Sequence, residues 1–202
     1  MRGRAVFVAA FVAGAAWLAA ASACAAAPPA PPLTATFATF QQFCVAPHGH
    51  AAQILAQADA AGWTPGPASM TAAPQFKSMT EVGVRTKTDA GAQALLVAGS
   101  GPIGEFSGLA VSADLCVLTV KGIDGPAVAA DVGAWVGVPP DPKRTKPGDV
   151  TYSFTEDVHG RVAVIDPSDE EAKALVKAGK VHMVIVQFTE DHAMVGYFTP
   201  RL

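Results

Sequence analysis

The chain has 202 residues, a net charge of −3 and 15% charged side chains. That length fits one domain with a sizeable core. A mildly acidic chain without a run of Lys or Arg has no surface for neutralising phosphates, so nucleic-acid binding is not expected.

Met1 to Arg4 form a short basic head, and Ala5 to Ala20 an uncharged apolar run. Ala21-Ser22-Ala23 is a small-residue tripeptide of the kind signal peptidases cut after, and Cys24 follows it. Residues 1–23 therefore read as a signal peptide, with an uncleaved membrane anchor as the alternative. Cleavage removes Arg2 and Arg4 and takes the net charge from −3 to −5. Ala21-Ser22-Ala23-Cys24 also approaches a lipoprotein box, with Ala21 where that box usually has Leu. Cys24 is thus a lipidation candidate, and a lipid would be the chain's one link to a membrane. Ordinary cleavage after Ala23 or Ala25 is the alternative.

Residues 24–36 contain AAAPPAPP, which reads as an extended spacer because proline restricts both itself and its predecessor. A single domain is expected from 37 to 202. Phe37, Phe40, Phe43 and Val45 give an apolar entry segment. Ile54, Leu55, Ala58 and Ala61 recur at helical spacing, which predicts a helix from 49 to 61 stopped by Gly62. Residues 64–78, rich in Pro, Thr, Ser and Gly, read as a loop. Four short strands are expected at 82–88, 94–98, 105–111 and 115–121, as an antiparallel meander turning at Asp89–Gly91, Gly99–Gly104 and Ala113–Asp114. Asp124-Gly125-Pro126 opens a second helix ending at Gly137, with Val128, Val132, Trp135 and Val136 as its apolar stripe. Residues 138–148 read as an exposed loop. A hairpin over 150–156 and 161–165 follows. Ser168 and Glu171 form a capping box for a third helix to Ala178. Strands at 181–188 and 193–199 close the sheet. The fold class is α+β, a largely antiparallel sheet with about three packed helices.

Motifs that carry chemistry are weak. Gly99-Ser-Gly101-Pro-Ile-Gly104 fits the dinucleotide pattern, but strand-like sequence follows it where a helix must start. A glycine-rich hairpin turn is the better reading, and no cofactor is expected. His48 and His50 flank Gly49, yet a metal site needs three or four converging ligands, so no metal is expected. Cys44 lies near both imidazoles and resembles an activated thiol. The stronger reading is a disulfide with Cys116, because lipidation or removal of Cys24 leaves an even pair. Glu105 and Glu156 are candidates for a carboxylate pair assembled by folding. There is no G-x-S-x-G and no Ser-x-x-Lys.

Phe40-Gln-Gln-Phe43-Cys44, Ala60-Ala-Gly-Trp63 and Leu115-Cys116-Val-Leu118 together resemble a group of small bacterial envelope proteins and lipoproteins without assigned activity. That resemblance implies an extracytoplasmic location and brings no catalytic residues. The expected function is a non-enzymatic binding or envelope-assembly domain, periplasmic or membrane-tethered, whose partner is a protein or small ligand of the envelope, as for an inhibitor or immunity protein. The alternative is a small envelope hydrolase with a dispersed site.

Overall fold

A computed structural model describes residues 33–202, except Ala90 and Ser107. The segment expected to be a signal peptide, the lipidation candidate Cys24 and most of the proline-rich spacer lie outside the described residues. Among those described, eight strands form one antiparallel sheet: β1 (Thr64–Pro65), β2 (Thr80–Asp89), β3 (Ala92–Phe106), β4 (Leu109–Lys121), β5 (Asp149–Asp157), β6 (Gly160–Ala163), β7 (Val181–Thr189) and β8 (His192–Arg201). Their order is β1-β2-β3-β4-β8-β7-β5-β6, so the last strand sits at the centre and joins the two halves.

The helices are α1 (Ala35–Phe40), α2 (Ala51–Ala60), α3 (Ala68–Thr71), α4 (Gly125–Val136) and α5 (Asp169–Lys177). Among the described residues, none is long and apolar enough to cross a membrane. α1 runs straight into a π-helical turn, Gln41–Val45. Strand alternation decides which side chains each layer buries. On one face Leu96, Ala98, Cys116, Leu118, Val195 and Tyr197 meet Phe37, Phe40, Phe43, Ile54, Val128 and Val132 from α1, the π-turn, α2 and α4. On the other, Ala172 and Val176 of α5 meet Phe106, Val111, Val181 and Met183. Phe76 and Met79, ahead of β2, cover Val84, Val97 and Leu115. Asp124 caps α4 by accepting from the Ala127 amide at 2.9 Å, and Ser168 caps α5 by accepting from Glu171 at 3.3 Å.

Several expectations need correction. Among the described residues, five α-helices stand where about three were expected. The entry segment is helical, because Phe37, Phe40 and Phe43 fall on one buried face. The loop read at 64–78 holds β1, α3 and a 3₁₀ turn, Pro74–Phe76. The four short central strands are three long ones. Gly99–Gly104 is not a hairpin turn but lies inside β3, paired from Gly99↔Leu115 to Gly104↔Val111. A Cβ at Gly99 or Gly101 would sit 3.1 or 2.9 Å from Met79 atoms, so these glycines let the segment before β2 cross closely. Pro102 is tolerated beside a register shift between Pro102 and Gly104. The reversal instead joins Phe106 to Leu109. Ala113 and Asp114, read as a turn, lie within β4.

Cys44 and Cys116 form the expected disulfide, with Sγ–Sγ 2.06 Å and Cα–Cα 5.2 Å. It fastens the end of the π-turn to the sheet centre. A disulfide fits an oxidising environment outside the cytoplasm.

Candidate functional site

The loop that follows Cys44 is His48-Gly49-His50, and it lies across a row of polar side chains. Register sets the row. Ser100 on β3 pairs with Asp114 on β4, and Asp114 with Thr199 on β8. Continuing the Met183↔Phe198 pairing brings His182 of β7 beside Thr199, and His182 pairs with Phe154 of β5. The next row inward, Ala98, Cys116, Tyr197 and Val184, is core. The disulfide thus anchors the loop one residue pair from the polar row.

Three contacts fix the loop. Thr199 Oγ1 donates to the His48 carbonyl at 3.4 Å. Gly49 has φ +80, and a Cβ there would lie 3.3 Å from the Asp114 carbonyl oxygen, so glycine meets both demands at once. The Gly49 amide donates to the Cys44 carbonyl at 3.3 Å. His48 itself has φ 51, a left-handed backbone that is strained for a side chain of its size.

The two loop imidazoles part company. His48 packs on His182, with ring centroids 6.4 Å apart. His182 Nδ1 lies 2.8 Å from the Tyr197 hydroxyl, which is buried. Burial holds the His182 imidazole below its ordinary pKa; nearby Glu156 opposes this, while His48 and Arg161 add to it. Burial also pushes the Tyr197 phenol well above its usual value, so it stays protonated. Glu156 pairs at 3.2 Å with Arg161, whose guanidinium lies 4.2 Å from the Trp135 ring centroid and 5.2 Å from that of Phe154. Arg161 also donates to the Trp135 carbonyl near the end of α4.

His50 turns the other way, with Nδ1 3.8 Å from Asp114 Oδ2, too far for a hydrogen bond. Arg201 Nη2 lies 3.3 Å from Asp114 Oδ1 and also donates to Ser100 Oγ. Ser100, His50, Asp114, Arg201, Thr80 and Glu81 line an open pocket of about 370 Å³. Glu81 has φ 54 at a register shift in β2, so strained backbone borders this pocket.

Of the residues singled out from sequence, the fold brings His48 and Glu156 toward His182 and sends His50 to Asp114. Glu105 is exposed opposite Ala110 and joins neither group. Glu105 and Glu156 therefore do not form the carboxylate pair considered above. Among the described residues no group of three or more His, Cys, Asp or Glu is placed to hold a metal ion. Ser100, Asp114, His182, Tyr197 and Arg201 were not found from sequence. Ser100 and Asp114 fall in segments that read as turns, Arg201 lies past the last expected strand, His182 and Tyr197 sit in ordinary strand patterns, and only the pairing of distant strands aligns the five.

A larger cavity of about 450 Å³ lies at the opposite ends of β3 and β4, lined by Gln42, Phe43, Trp63, Lys87 and Ile123 among others. Its aromatic walls are core residues, Phe43 and Trp63, packed edge to face at 5.6 Å. Lys87 is occupied by the Ala61 carbonyl at 3.3 Å. Charged groups with unused hydrogen-bonding capacity converge at the smaller pocket. Compared with protein-family models, curated proteins and solved structures, the chain matches none.

Proposed function

We propose that the protein is an extracytoplasmic binding domain without catalysis of its own, and that it holds a small ligand in the pocket beside His50. The state of the pocket's polar groups carries this reading. Ser100 accepts a hydrogen bond from Arg201, and a guanidinium has no basic form with which to take the hydroxyl proton. Asp114 is held by the same guanidinium. The groups serve as fixed donors and acceptors on paired strands, the arrangement that recognition needs. The disulfide and the reading of residues 1–23 as a signal peptide support a periplasmic or lipid-tethered location. In the tethered case Cys24 would carry the lipid and the proline-rich spacer would hold the domain off the membrane.

Native mass spectrometry of protein purified from the cell envelope tests this. The expected result is a small-molecule adduct on the wild-type chain that is lost in Arg201→Ala. Bare protein in both samples, or an adduct indifferent to Arg201, contradicts it.

A hydrolase remains the second reading, because Ser100, His50 and Asp114 line one pocket. It requires His50 to move between Asp114 and Ser100 and to displace Arg201 from both. Covalent labelling of Ser100 by a fluorophosphonate would favour it.

A further inference from the structure

The charges lining the pocket beside His50 have both signs and are only partly used by the protein. From this we infer that its ligand is a small zwitterion, bearing an ammonium and a carboxylate, of the size of an amino acid or dipeptide. The inference rests on the binding reading above.

Arg201 supplies the positive side. Both its contacts with Ser100 and Asp114 run through Nη2. Its Nε and Nη1 have no acceptor among the described residues, and half of the side chain, 51%, is exposed. A guanidinium keeps its charge at any physiological pH, and three unused N–H groups are left to meet a carboxylate. Glu81 supplies the negative side. It lines the same pocket, is exposed, and makes no ion pair among the described residues. Asp114 Oδ2 adds to that side, because His50 Nδ1, 3.8 Å away, stands too far off to donate a hydrogen bond to it.

These groups discriminate by charge. A simple anion would be drawn to Arg201 and repelled by Glu81 and Asp114. A simple cation would meet the reverse. A dipolar molecule oriented with its carboxylate on Arg201 and its ammonium on Glu81 satisfies both, and either half alone is penalised. The volume, about 370 Å³, lies at the small end of the range for ligand pockets and suits a molecule of one or two amino-acid residues. Ala51 and Ala52 of α2 line the pocket with small apolar surface that leaves room for a side chain.

Isothermal titration of envelope-purified protein with Ala-Ala, N-acetyl-Ala-Ala and Ala-Ala amide at neutral pH provides the test. Acetylation removes the ammonium, and amidation the carboxylate. The free dipeptide should bind, and each blocked form should bind at least about tenfold more weakly, a difference of about 1.4 kcal/mol. Glu81→Gln keeps the shape of an exposed side chain and should erase the distinction between free and acetylated peptide while leaving the amide weak. Arg201→Met should do the reverse. Equal binding of all three peptides, or no binding of any to folded protein, overturns the inference. If an Arg201-dependent adduct is still found by native mass spectrometry, only the zwitterion inference falls and the binding reading stands.

Discussion

Burial of His182 beside Tyr197 makes one residue sensitive to acid. The folded chain favours the neutral imidazole, whereas the unfolded one takes up a proton near the ordinary value of 6.5. Stability is therefore full above that value and is lost as pH falls below it, until the lower folded pKa is passed. The urea midpoint of the wild type should drop between pH 7.5 and pH 5.5, and His182→Gln should flatten part of that drop. An unchanged slope in the variant would show that other groups set the acid response. Cys44 and Cys116 act on a larger scale of energy. They close a loop with a sequence separation of 72 residues, and the chain-entropy model assigns such a crosslink about 4 kcal/mol. Replacing both by Ser should lower the unfolding free energy by about that amount in urea titrations. The pair was legible in sequence, because removing Cys24 from the count leaves only one pairing. The residues around it were not. His182 looks like any polar residue on a strand until β5, β7 and β8 are aligned.

Helices were more legible than strands where local signals existed. Asp124, Pro126 and Gly137 bracket α4, and Ser168 with Gly179 brackets α5, because caps act on amides within three residues. The π-turn carried no such signal, and its bounds follow from packing Phe40 and Phe43 into the core. β3 was broken in two by reading its glycines as turn formers. Glycine also serves where another segment must pass closely, and Met79 does so here. The docking of α4 offers a test at this scale. A Cβ on Gly125 would collide with the Thr189 and His192 carbonyl oxygens at the β7–β8 turn. Gly125→Ala should thus cost about 3 kcal/mol or more, through forced displacement of packed backbone. Asp124→Ala, one residue away, removes only a cap and should cost about 1 kcal/mol. Thermal melts of the two variants compare them directly, and a similar loss in both would contradict the close approach of α4 to that turn.

At the scale of the whole molecule, an antiparallel sheet layered with helices was readable from hydrophobic period and punctuation. The strand order was not, because placing β8 beside β4 depends on contacts far apart in sequence. The polar row exists only through that order, since β8 contributes Thr199 to a line begun on β3 and β4, and places Arg201 farther out on the same strand, opposite Ser112. The N-terminal reading makes its own prediction. Protein from the envelope should lack residues 1–23 by intact mass, with Cys24 lipidated or the cut a few residues later. A chain still beginning at Met1 would sink it.

On the proposed reading, the pocket beside His50 recognises a ligand and leaves it unchanged. Equilibrium dialysis against a small-molecule extract of the cell envelope, with mass balance on both sides of the membrane, tests this most directly. One compound should concentrate on the wild-type side, be recovered intact after denaturation, and no longer be enriched by folded Arg201→Ala. Loss of the compound with appearance of a product, abolished in Ser100→Ala, would overturn the binding reading and establish an enzyme instead.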